Sequence, residues 1–375
     1  MVTDVVYVDF QKAFDTVSHP KLLSKIKAYN ILDDLFEWIR AFLSGRTQQV
    51  KIKNTLSHSI FVTSGVPQGS CLGPTLFLLY INDLVDCFDS VQCNIKLYAD
   101  DAKLYSSYRL DDSTLSVDLN LILERLAIWA KTWQMQIAYN KCFVHRISSN
   151  NMSCTPCFKY CISGIELDWS TSTRDLGITI DNNLKFDQHI SKMVHNASVR
   201  ANLIIRSFVS RDPAILVKAF ITYVRPLLEY CTPVWSPHTV GLIRKIESVQ
   251  KKFTKKLYGF AKLDYVSRID MLILELLHVR RLKQDLLWCY NILHGNVAVD
   301  SAKFISLSQY QRTRGHPYKI YRQPCRLNVS LYSFANRILD IWDNLPFEIV
   351  YVSSIAAFKR KLNTLDFTPF ILAEY

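Results

Sequence analysis

The sequence predicts an α+β fold in which a domain with an antiparallel sheet and packed helices is followed by a helical region. Short β-branched runs with hairpin spacing occur before residue 189. After residue 189 the apolar residues recur at helical spacing. We therefore expect three domains in the 375 residues, with bounds 1–188, 189–299 and 300–375.

The first predicted element is a buried strand at Val5–Phe10, because the run VVYVDF is apolar and β-branched. A helix follows from His19, with a break near Asn30, and it ends at Gly45. This strand and helix open the predicted sheet domain.

Two hairpins are expected later in this domain, after the Gly/Pro-rich loop Gly65–Pro74. Ile95–Tyr98 and Lys103–Tyr105 are short strands separated by four residues, which is hairpin spacing. The second hairpin is predicted within 176–186, with its turn at Asn182-Asn183, because Asn tolerates positive φ.

Beyond residue 189 the sequence predicts successive amphipathic helices. Asp212-Pro213 is an N-cap followed by proline at the first helical position. Further helices are expected at Gly241–Leu257 and Met271–Leu293. In the helix at Gly241–Leu257 six basic residues face outward, namely Arg244, Lys245, Lys251, Lys252, Lys255 and Lys256.

The net charge of +12 is concentrated in one segment. His189–Lys283 holds 17 basic against 6 acidic residues, whereas residues 1–188 hold 18 against 20. A surplus of this size indicates a polyanionic partner, either nucleic acid or an anionic membrane. No run approaches the roughly 18 apolar residues of a membrane span, so we expect nucleic acid and no membrane. A solvated basic helix surface is the alternative interpretation.

The ten cysteines show no regular framework, and no secretory signal precedes them, which predicts reduced thiols in an intracellular, non-secreted protein. Cys154, Cys157 and Cys161 have the spacing of part of a zinc site, with Cys142 or His145 as the fourth ligand. Ordinary thiols are the preferred interpretation, because structural zinc needs four well-placed ligands.

Three acidic residues stand where predicted strands end. Asp9 closes the first strand, and Asp100 and Asp101 lie in the turn of the first hairpin. Adjacent carboxylates are disfavoured by repulsion and desolvation, and a bound cation removes both objections. Phosphoryl transfer uses such carboxylates to hold two divalent ions about 4 Å apart. Each acidic residue taken singly also fits a polar turn or a strand end.

Three long segments occur in a fixed order, VYVDFQKAFDTVSHPKLL, SGVPQGSCLGPTLFLLYINDL and KLYADDAKLY. They resemble motifs A, B and C of reverse transcriptases, in the form found in LINE-type (non-LTR, jockey-like) retrotransposons. WAKTWQMQIAYNKC resembles motif D of that family, and RDLGITIDNNLKF resembles motif E. The resemblance implies a right-hand polymerase palm followed by an all-α thumb.

The activity that the resemblance implies is RNA-directed DNA polymerase, which uses Mg²⁺ (two ions, with Mn²⁺ as a substitute), an RNA template, a DNA primer and dNTPs. One alternative is a catalytically decayed protein that still binds nucleic acid through its basic helices. Another is an RNA-dependent RNA polymerase, which shares the carboxylates. The implied location is the nucleus or a cytoplasmic ribonucleoprotein.

Site residues follow from the same resemblance. Asp9 and Asp100 are expected to bind the metal ions, with Asp101 as a third, less direct catalytic carboxylate. The carbonyl of Phe10 would complete a metal shell. Phe14 would exclude the ribose 2′-hydroxyl, although a plain core aromatic is the alternative for this residue.

In the segment that resembles motif B, the family implies contacts with the incoming dNTP and the template through Gly65, Pro67, Gln68 and Gly69. Lys141 would neutralise or protonate the pyrophosphate leaving group. A solvated surface lysine is the equal alternative for this position.

Leu176 and Gly177 are the implied anchors of the primer grip, and the six basic residues of the 241–257 helix would contact nucleic-acid phosphates. The fingers and the endonuclease of the family have no counterpart here, since only eight residues precede Asp9. We therefore expect an N-terminally truncated polymerase with weak or no activity of its own.

Overall fold

The computed structural model describes residues 2–88, 93–109, 114–148, 158–308 and 316–370. The chain divides into two compact units. Unit 1 comprises Met1–Thr173 and Asp181–Asn183, and unit 2 comprises Arg174–Ile180 and Leu184–Tyr375. The domain bounds expected at residues 188 and 299 remain predictions.

Unit 1 combines a sheet with packed helices, as the α+β prediction requires. Its elements are β1 (Val2–Val8), α1 (His19–Ala28), α2 (Asp33–Leu43), β2 (Thr47–Gln48), β3 (Lys51–Ile52), β4 (Thr55–Leu56), β5 (Ile60–Phe61), α3 (Gly73–Ile81), β6 (Asn94–Tyr98), β7 (Asp101–Tyr108), α4 (Thr114–Thr132), β8 (Phe143–Ser148), β9 (Cys161–Ile162), β10 (Ile165–Glu166) and β11 (Asp168–Ser170). The next hairpin, β12 (Ser172–Asp175) and β13 (Ile178–Asp181), has Arg174–Ile180 in unit 2.

The main sheet has the strand order β11-β8-β1-β7-β6. Strand β1 lies in the middle and pairs antiparallel with both β7 and β8, while β11 runs parallel to β8. Alternate residues of the strands, such as Val6, Val8 and Leu104, are buried in an apolar core. This core also contains Phe77 of α3 and Leu123 of α4. The strand predicted at Val5–Phe10 is confirmed in part, since β1 runs from Val2 to Val8. The hairpin around Asp100 is confirmed, but its turn is Ala99-Asp100 and not the predicted four residues, because β7 begins at Asp101.

The predicted break in the first helix is also confirmed. Helix α1 ends at Ala28 and α2 begins at Asp33, and Asn30 between them has φ of 51°. Gly45, with φ of 69°, follows the end of α2. Positive φ is unfavourable inside a right-handed helix, so both residues end helical segments.

The predicted hairpin turn at Asn182-Asn183 is wrong. Strands β12 and β13 pair with each other, and the two residues between them are Leu176 and Gly177, with φ of 44° and 88°. Two consecutive positive φ values are typical of a type I′ turn, which matches the twist of the strands. Asn183 instead donates its backbone N–H to the carboxylate of Asp181 at 3.0 Å.

Unit 2 is helical beyond this hairpin, in the part of it that the structure describes. Its helices are α5 (Asp187–Ser207), α6 (Pro213–Tyr223), α7 (Arg225–Glu229), α8 (Thr232–Trp235), α9 (Val240–Lys255), α10 (Tyr265–Met271), α11 (Leu277–Leu293), α12 (Asn328–Leu331), α13 (Phe334–Asp343), α14 (Phe347–Val350) and α15 (Ile355–Leu362).

The predicted cap at Asp212 is confirmed, since its carboxylate accepts a hydrogen bond from the backbone N–H of Ala214 at 2.9 Å. The helix predicted at Met271–Leu293 begins only at Leu277. Ile273 adopts φ of 52°, which interrupts the helical path after α10.

Two apolar cores stabilise unit 2. One includes Phe220 of α6 stacked on Phe253 of α9, with ring centroids 4.6 Å apart. The other gathers α11, α13 and α15 around Trp342 and Phe358. Across the described residues, no helix has the length and apolar character needed to cross a membrane.

Candidate active site

The sheet register brings the acidic residues of the sequence to neighbouring strand ends. The last paired residues of β1 and β7 are Val8 and Ala102, so Asp9 and Asp101 are the next residues on the two strands. Tyr98 pairs with Asp101 in the β6–β7 hairpin, which leaves Ala99 and Asp100 as its two-residue turn. Directly opposed residues of antiparallel strands lie about 5 Å apart on the same face.

These strand ends lie on the less buried face of the sheet. Tyr7 and Lys103 form the strand pair two positions away from Asp9 and Asp101, and they share that face. The Lys103 Nζ lies 5.8 Å from the Tyr7 ring centroid. The Asp9 side chain is 36% exposed. Partial exposure limits the desolvation cost of keeping these carboxylates charged.

Ala99, in the turn next to Asp100, is a non-glycine residue with φ of 51°. Such a backbone conformation is uncommon for alanine and costs of order 1 kcal/mol or more. The strand pairing on both sides of the turn holds Ala99 in this conformation. The Asp100 backbone is thereby fixed at the tip of the hairpin.

The carbonyl of Phe10 points toward the β7 side of β1. Phe10 forms a bridge with Ile137, and the two flanking hydrogen bonds are Gln11 N to Gln136 O at 2.7 Å and Ala138 N to Asp9 O at 2.8 Å. In this pattern the bridged residue directs its own N–H and C=O away from its partner strand. The Phe10 carbonyl therefore faces the edge where β7 begins.

Lys141 lies beside Asp9. Its Nζ is 3.4 Å from Asp9 Oδ1, and the two side chains are 60% and 36% exposed. A pair this exposed contributes less than about 1 kcal/mol to stability. The structure thus places Lys141 next to Asp9, in a weak ion pair that another cation could replace.

The residues of this edge are of the chemical types that bind divalent metal ions. Among the described residues, no three His, Cys, Asp or Glu side chains come together closely enough to hold a metal. Mg²⁺ usually takes only one or two protein carboxylates and completes its shell with water and substrate phosphates. Asp9, Asp100 and the carbonyl of Phe10 offer oxygen atoms of the type that Mg²⁺ binds, and the Lys141 ammonium is the cation that lies beside Asp9 in this structure.

The loop that follows β5 and contains Gly65 is joined to the loop that follows β1 by backbone hydrogen bonds. Gly65 N donates to Val17 O and Val66 N donates to Phe14 O, both at 2.8 Å. Gly65 has φ of 89°, and a Cβ added there would lie 2.8 Å from the carbonyl oxygen of Asp15. Only glycine therefore permits this approach of the two loops.

Side chains add further contacts between the same loops. Gln68 Nε2 donates to Asp15 Oδ1 at 2.8 Å, and both residues are exposed. The His19 ring nitrogen Nε2 lies 2.8 Å from the Gly65 carbonyl oxygen. Asp15 and His19 were not among the predicted site residues, although both stand inside the segment that resembles motif A.

Pro67 and Gly69 complete this loop. The Pro67 carbonyl accepts a hydrogen bond from Ser70 Oγ at 2.7 Å, and Ser70 Oγ accepts one from Gly73 N at 3.0 Å. Gly69 has φ of 81° with no atom within 4 Å of an added Cβ. The loop is therefore closely packed at Gly65 and open at Gly69.

Phe14 is half-buried, and its ring stacks on Phe77 with centroids 4.2 Å apart and planes 16° from parallel. It lies in the loop that follows Asp9 and is bonded to the Gly65 loop through its carbonyl. One side of the ring packs in the core and part of it stays accessible. This environment is compatible with both predicted roles for Phe14.

The predicted primer-grip residues form the β12–β13 turn. Tyr230 Oη donates to the Leu176 carbonyl at 3.0 Å, and a Cβ on Gly177 would meet the Tyr230 ring at 3.5 Å. The Leu176 side chain is 42% exposed. The turn is thus held from one side and open on the other.

The six predicted phosphate contacts are exposed on α9 or at its end, as the helical pattern predicted. Two of them already have hydrogen-bond partners on α5. Lys245 Nζ donates to Ser191 Oγ and Lys256 Nζ donates to Asn202 Oδ1, both at 2.7 Å. The six basic residues therefore differ in their surroundings, since two of them are hydrogen-bonded to α5.

The possible zinc ligands are only partly described, because Cys154 and Cys157 lie outside the described residues. Burial raises the pKa of the Cys142 thiol, and burial lowers the pKa of His145. His145 Nδ1 lies 3.0 Å from the carbonyl oxygen of Ser170. Both groups are thus buried and neutral, which suits packing within unit 1.

Comparisons with known proteins agree with this geometry. Residues 3–180 match the family model described as reverse transcriptase (RNA-dependent DNA polymerase). The chain is 30% identical over 266 residues to the RNA-directed DNA polymerase from mobile element jockey of Drosophila funebris. This match covers 68% of this chain and 28% of that relative. It is 27% identical over 263 residues to the probable RNA-directed DNA polymerase from transposon BS of Drosophila melanogaster, covering 66% and 28%.

A solved structure of telomerase from Candida albicans, in complex with a fragment of telomeric RNA, matches with a TM-score of 0.37 and 14% identity. The match covers 69% of this chain and 48% of that one. A likeness at this level carries no argument about function.

A sheet with acidic residues at paired strand ends, followed by helices, is consistent with the α+β palm and thumb of a nucleic-acid polymerase. Residues 3–180 belong to the reverse transcriptase family, and the relatives named above are polymerases of LINE-type, jockey-like elements. It spans about 28% of the length of the curated relatives named above. Reverse transcriptases use divalent metal ions.

Proposed function

We propose that this chain carries the palm and the nucleic-acid-binding helices of an RNA-directed DNA polymerase, which joins dNTPs to the 3′-hydroxyl of a DNA primer on an RNA template. The observation that carries the proposal is the β1–β7 register, which puts Asp9 and Asp101 at adjacent strand ends with Asp100 in the turn between β6 and β7. Because the chain spans a minor part of its relatives, activity, substrates and partners are all part of this proposal.

Asp9, Asp100 and the carbonyl of Phe10 are the groups that would hold Mg²⁺, with two ions in the working enzyme and Mn²⁺ able to substitute. Bound there, the ions would activate the attacking hydroxyl and stabilise the leaving oxygen. Asp101 would add a third negative charge at the same edge. The greater importance of Asp100 relative to Asp101 rests on the resemblance to motif C.

Besides its ion pair with Asp9, Lys141 would interact with the leaving group. Its pairing with Asp9 is weak and its side chain is mostly exposed, so the ammonium group is able to turn toward a leaving pyrophosphate. There it would neutralise the developing charge or donate a proton. The ion pair with Asp9 keeps the lysine within reach of the reacting groups.

The nucleotide would lie against the two loops that are fastened together at Gly65. Gly65 and Gly69 allow close approach of the backbone, and Gln68 offers a neutral donor and acceptor next to Asp15. Phe14, packed on Phe77, would present a fixed ring edge to the 2′ position of the sugar.

The duplex of template and primer would be held by the helical unit. The exposed basic residues of α9 suit contacts with phosphates, and the exposed Leu176 turn suits contact with the primer end. A location in the nucleus or in a cytoplasmic ribonucleoprotein remains a prediction.

A primer-extension assay tests the proposal. The purified chain, a DNA primer on an RNA template, Mg²⁺ and dNTPs should give measurable single-nucleotide incorporation, which is expected to be weak. Asp100→Asn should reduce the rate by about 10³-fold or more, because it removes a charged metal ligand. Asp33→Asn, a change at an exposed acidic residue of α2, is the matched control and should leave the rate unchanged.

Two results would count against the polymerase assignment. Incorporation that survives Asp100→Asn would show that another protein or another site performs the synthesis. Tight binding of the template–primer with no incorporation in Mg²⁺ or Mn²⁺ would favour the second candidate, a nucleic-acid-binding protein without catalysis. The exposed basic surface of α9 is the observation that supports this second candidate.

A further inference from the structure

A cleft between α9 and α10 gathers basic side chains that the sequence pattern did not group. Its volume is about 680 Å³, and it is lined by residues of both helices and of the loop that joins them. The basic lining residues are Lys251, Lys252, Lys255, Lys262 and Arg268, and the acidic lining residue is Asp264. Five positive charges therefore face a single negative charge.

Arg268 is the unusual member of this group. It is 2% exposed, and its Nε and Nη1 atoms are buried without a hydrogen-bond partner among the described residues. Its guanidinium lies 5.6 Å from the centroid of the Tyr265 ring. A buried guanidinium with two nitrogens that lack hydrogen bonds is disfavoured, and an anion bound beside it would offset part of that cost.

The acidic residue of the cleft does not supply that anion. Asp264 caps α10, and its carboxylate accepts hydrogen bonds from Ser267 N at 3.0 Å and Ser267 Oγ at 2.6 Å. These bonds lower the pKa of Asp264. Arg268 Nε and Nη1 have no hydrogen-bond partner among the described residues, so Asp264 does not pair with either atom.

The wall of the cleft is held in place by a buried polar network. The Tyr265 hydroxyl donates to the buried carboxylate of Glu247 and accepts from Gln250 Nε2 at 3.0 Å. Lys251 Nζ lies 5.6 Å from the same Tyr265 ring that Arg268 contacts. Tyr265 therefore positions two cations on one fixed aromatic ring.

We propose that this cleft binds a phosphate group, with Arg268 as the buried anchor and Lys251, Lys255 and Lys262 around it, and that the group is a backbone phosphate of bound nucleic acid. Arg is suited to this task because its planar guanidinium donates two parallel hydrogen bonds to phosphate oxygens. The choice of a nucleic-acid phosphate rests on the proposed function, whereas phosphate binding itself does not.

Five of the six predicted α9 contacts fall into two groups. Lys251, Lys252 and Lys255 line it, while Lys245 and Lys256 are bonded to α5. We expect the cleft to supply one fixed contact and the remaining exposed cations to supply weak, interchangeable ones.

The first test uses inorganic phosphate and thermal unfolding of the full chain. Phosphate should raise the Tm of the natural protein by about 3 °C or more, through preferential binding to the folded state. Arg268→Gln should abolish this rise. In phosphate-free buffer its Tm should be equal to or above that of the natural protein, because the variant lacks an unpaired buried charge. Arg206→Gln, at an exposed arginine of α5, is the matched control and should behave like the natural protein.

The second test identifies the source of the phosphate. Arg268→Gln should weaken binding of a short RNA–DNA hybrid about tenfold and should reduce the salt dependence of binding by about one phosphate contact. If phosphate stabilises the protein but Arg268→Gln leaves hybrid affinity unchanged, the cleft serves a free phosphate compound and the nucleic-acid assignment is overturned.

A third outcome would overturn the proposal entirely. If Arg268→Gln lowers Tm in phosphate-free buffer and phosphate has no effect on the natural protein, Arg268 is a structural residue. Neither measurement involves catalysis. Failure of the polymerase assay would therefore leave these results, and their interpretation as phosphate binding, unchanged.

Discussion

The acidic strand ends of unit 1 and the basic cleft of unit 2 position their charges in different ways. Asp9 and Asp101 are placed by the hydrogen-bonded register of β1 and β7, and the Asp9 side chain remains partly exposed with Lys141 nearby. Arg268 is placed by the packing of α10 against α9, and it is buried with its Nε and Nη1 atoms unpartnered among the described residues.

This difference teaches where each region is sensitive to substitution. In unit 1 the backbone fixes the geometry, so a carboxylate can change to an amide without disturbing the fold. The loops that carry the substrate contacts depend on close backbone approach, and there even one added methyl group has a large effect. In unit 2 several basic side chains contribute to phosphate binding, each according to its position. We therefore expect single substitutions there to have graded effects on that binding.

The largest effect in this comparison is expected at Gly65. Gly65→Ala would place a Cβ 2.8 Å from the Asp15 carbonyl oxygen at a residue with φ of 89°. We expect a loss of about 2 kcal/mol or more in the free energy of unfolding. We also expect a fall of about 100-fold in nucleotide incorporation, because the loop moves away from the loop that carries Asp15.

Gly69→Ala is the matched control, since Gly69 has a similar φ of 81° but open space around it. It should cost only about 1 kcal/mol, from the backbone conformation alone. Equal effects of the two substitutions, measured by denaturant unfolding and primer extension, would show that the contact with Asp15 has no special importance.

A smaller effect, confined to substrate choice, is expected at Phe14. Phe14→Ala should increase the use of rNTPs relative to dNTPs by about tenfold, measured as the ratio of the two kcat/KM values, because the ring no longer occupies the space of a 2′-hydroxyl. Phe14→Tyr keeps the ring and should retain the preference for dNTPs. If Phe14→Ala only lowers stability, Phe14 is a core aromatic and not a selectivity residue.

The sequence allowed prediction of the first strand, the Asp100 hairpin and the helices of unit 2, because each has a strong local pattern of apolar residues. The turn at Leu176 and Gly177 was missed, because leucine rarely adopts positive φ and the two nearby asparagines gave a stronger turn signal. Local preference was overridden there by the pairing of β12 with β13.

The carboxylate positions could be predicted because the family motifs include the strand and the turn that carry them. Contacts between distant segments could not. The bonds of Gln68 with Asp15 and of Lys245 with Ser191 join residues more than fifty positions apart. Arg268 was missed for the same reason, since nothing in its local sequence indicates that its side chain is buried beside the lysines of α9.

The most direct test of the central claim is Mn²⁺ binding, followed by electron paramagnetic resonance of the free ion. The account predicts that Asp9→Asn weakens Mn²⁺ binding about tenfold or more, and that Lys141→Gln strengthens it a few-fold because a competing cation is removed. Asp33→Asn should have no effect. Unchanged Mn²⁺ affinity in Asp9→Asn would contradict the assignment of the β1–β7 edge as the metal-binding site.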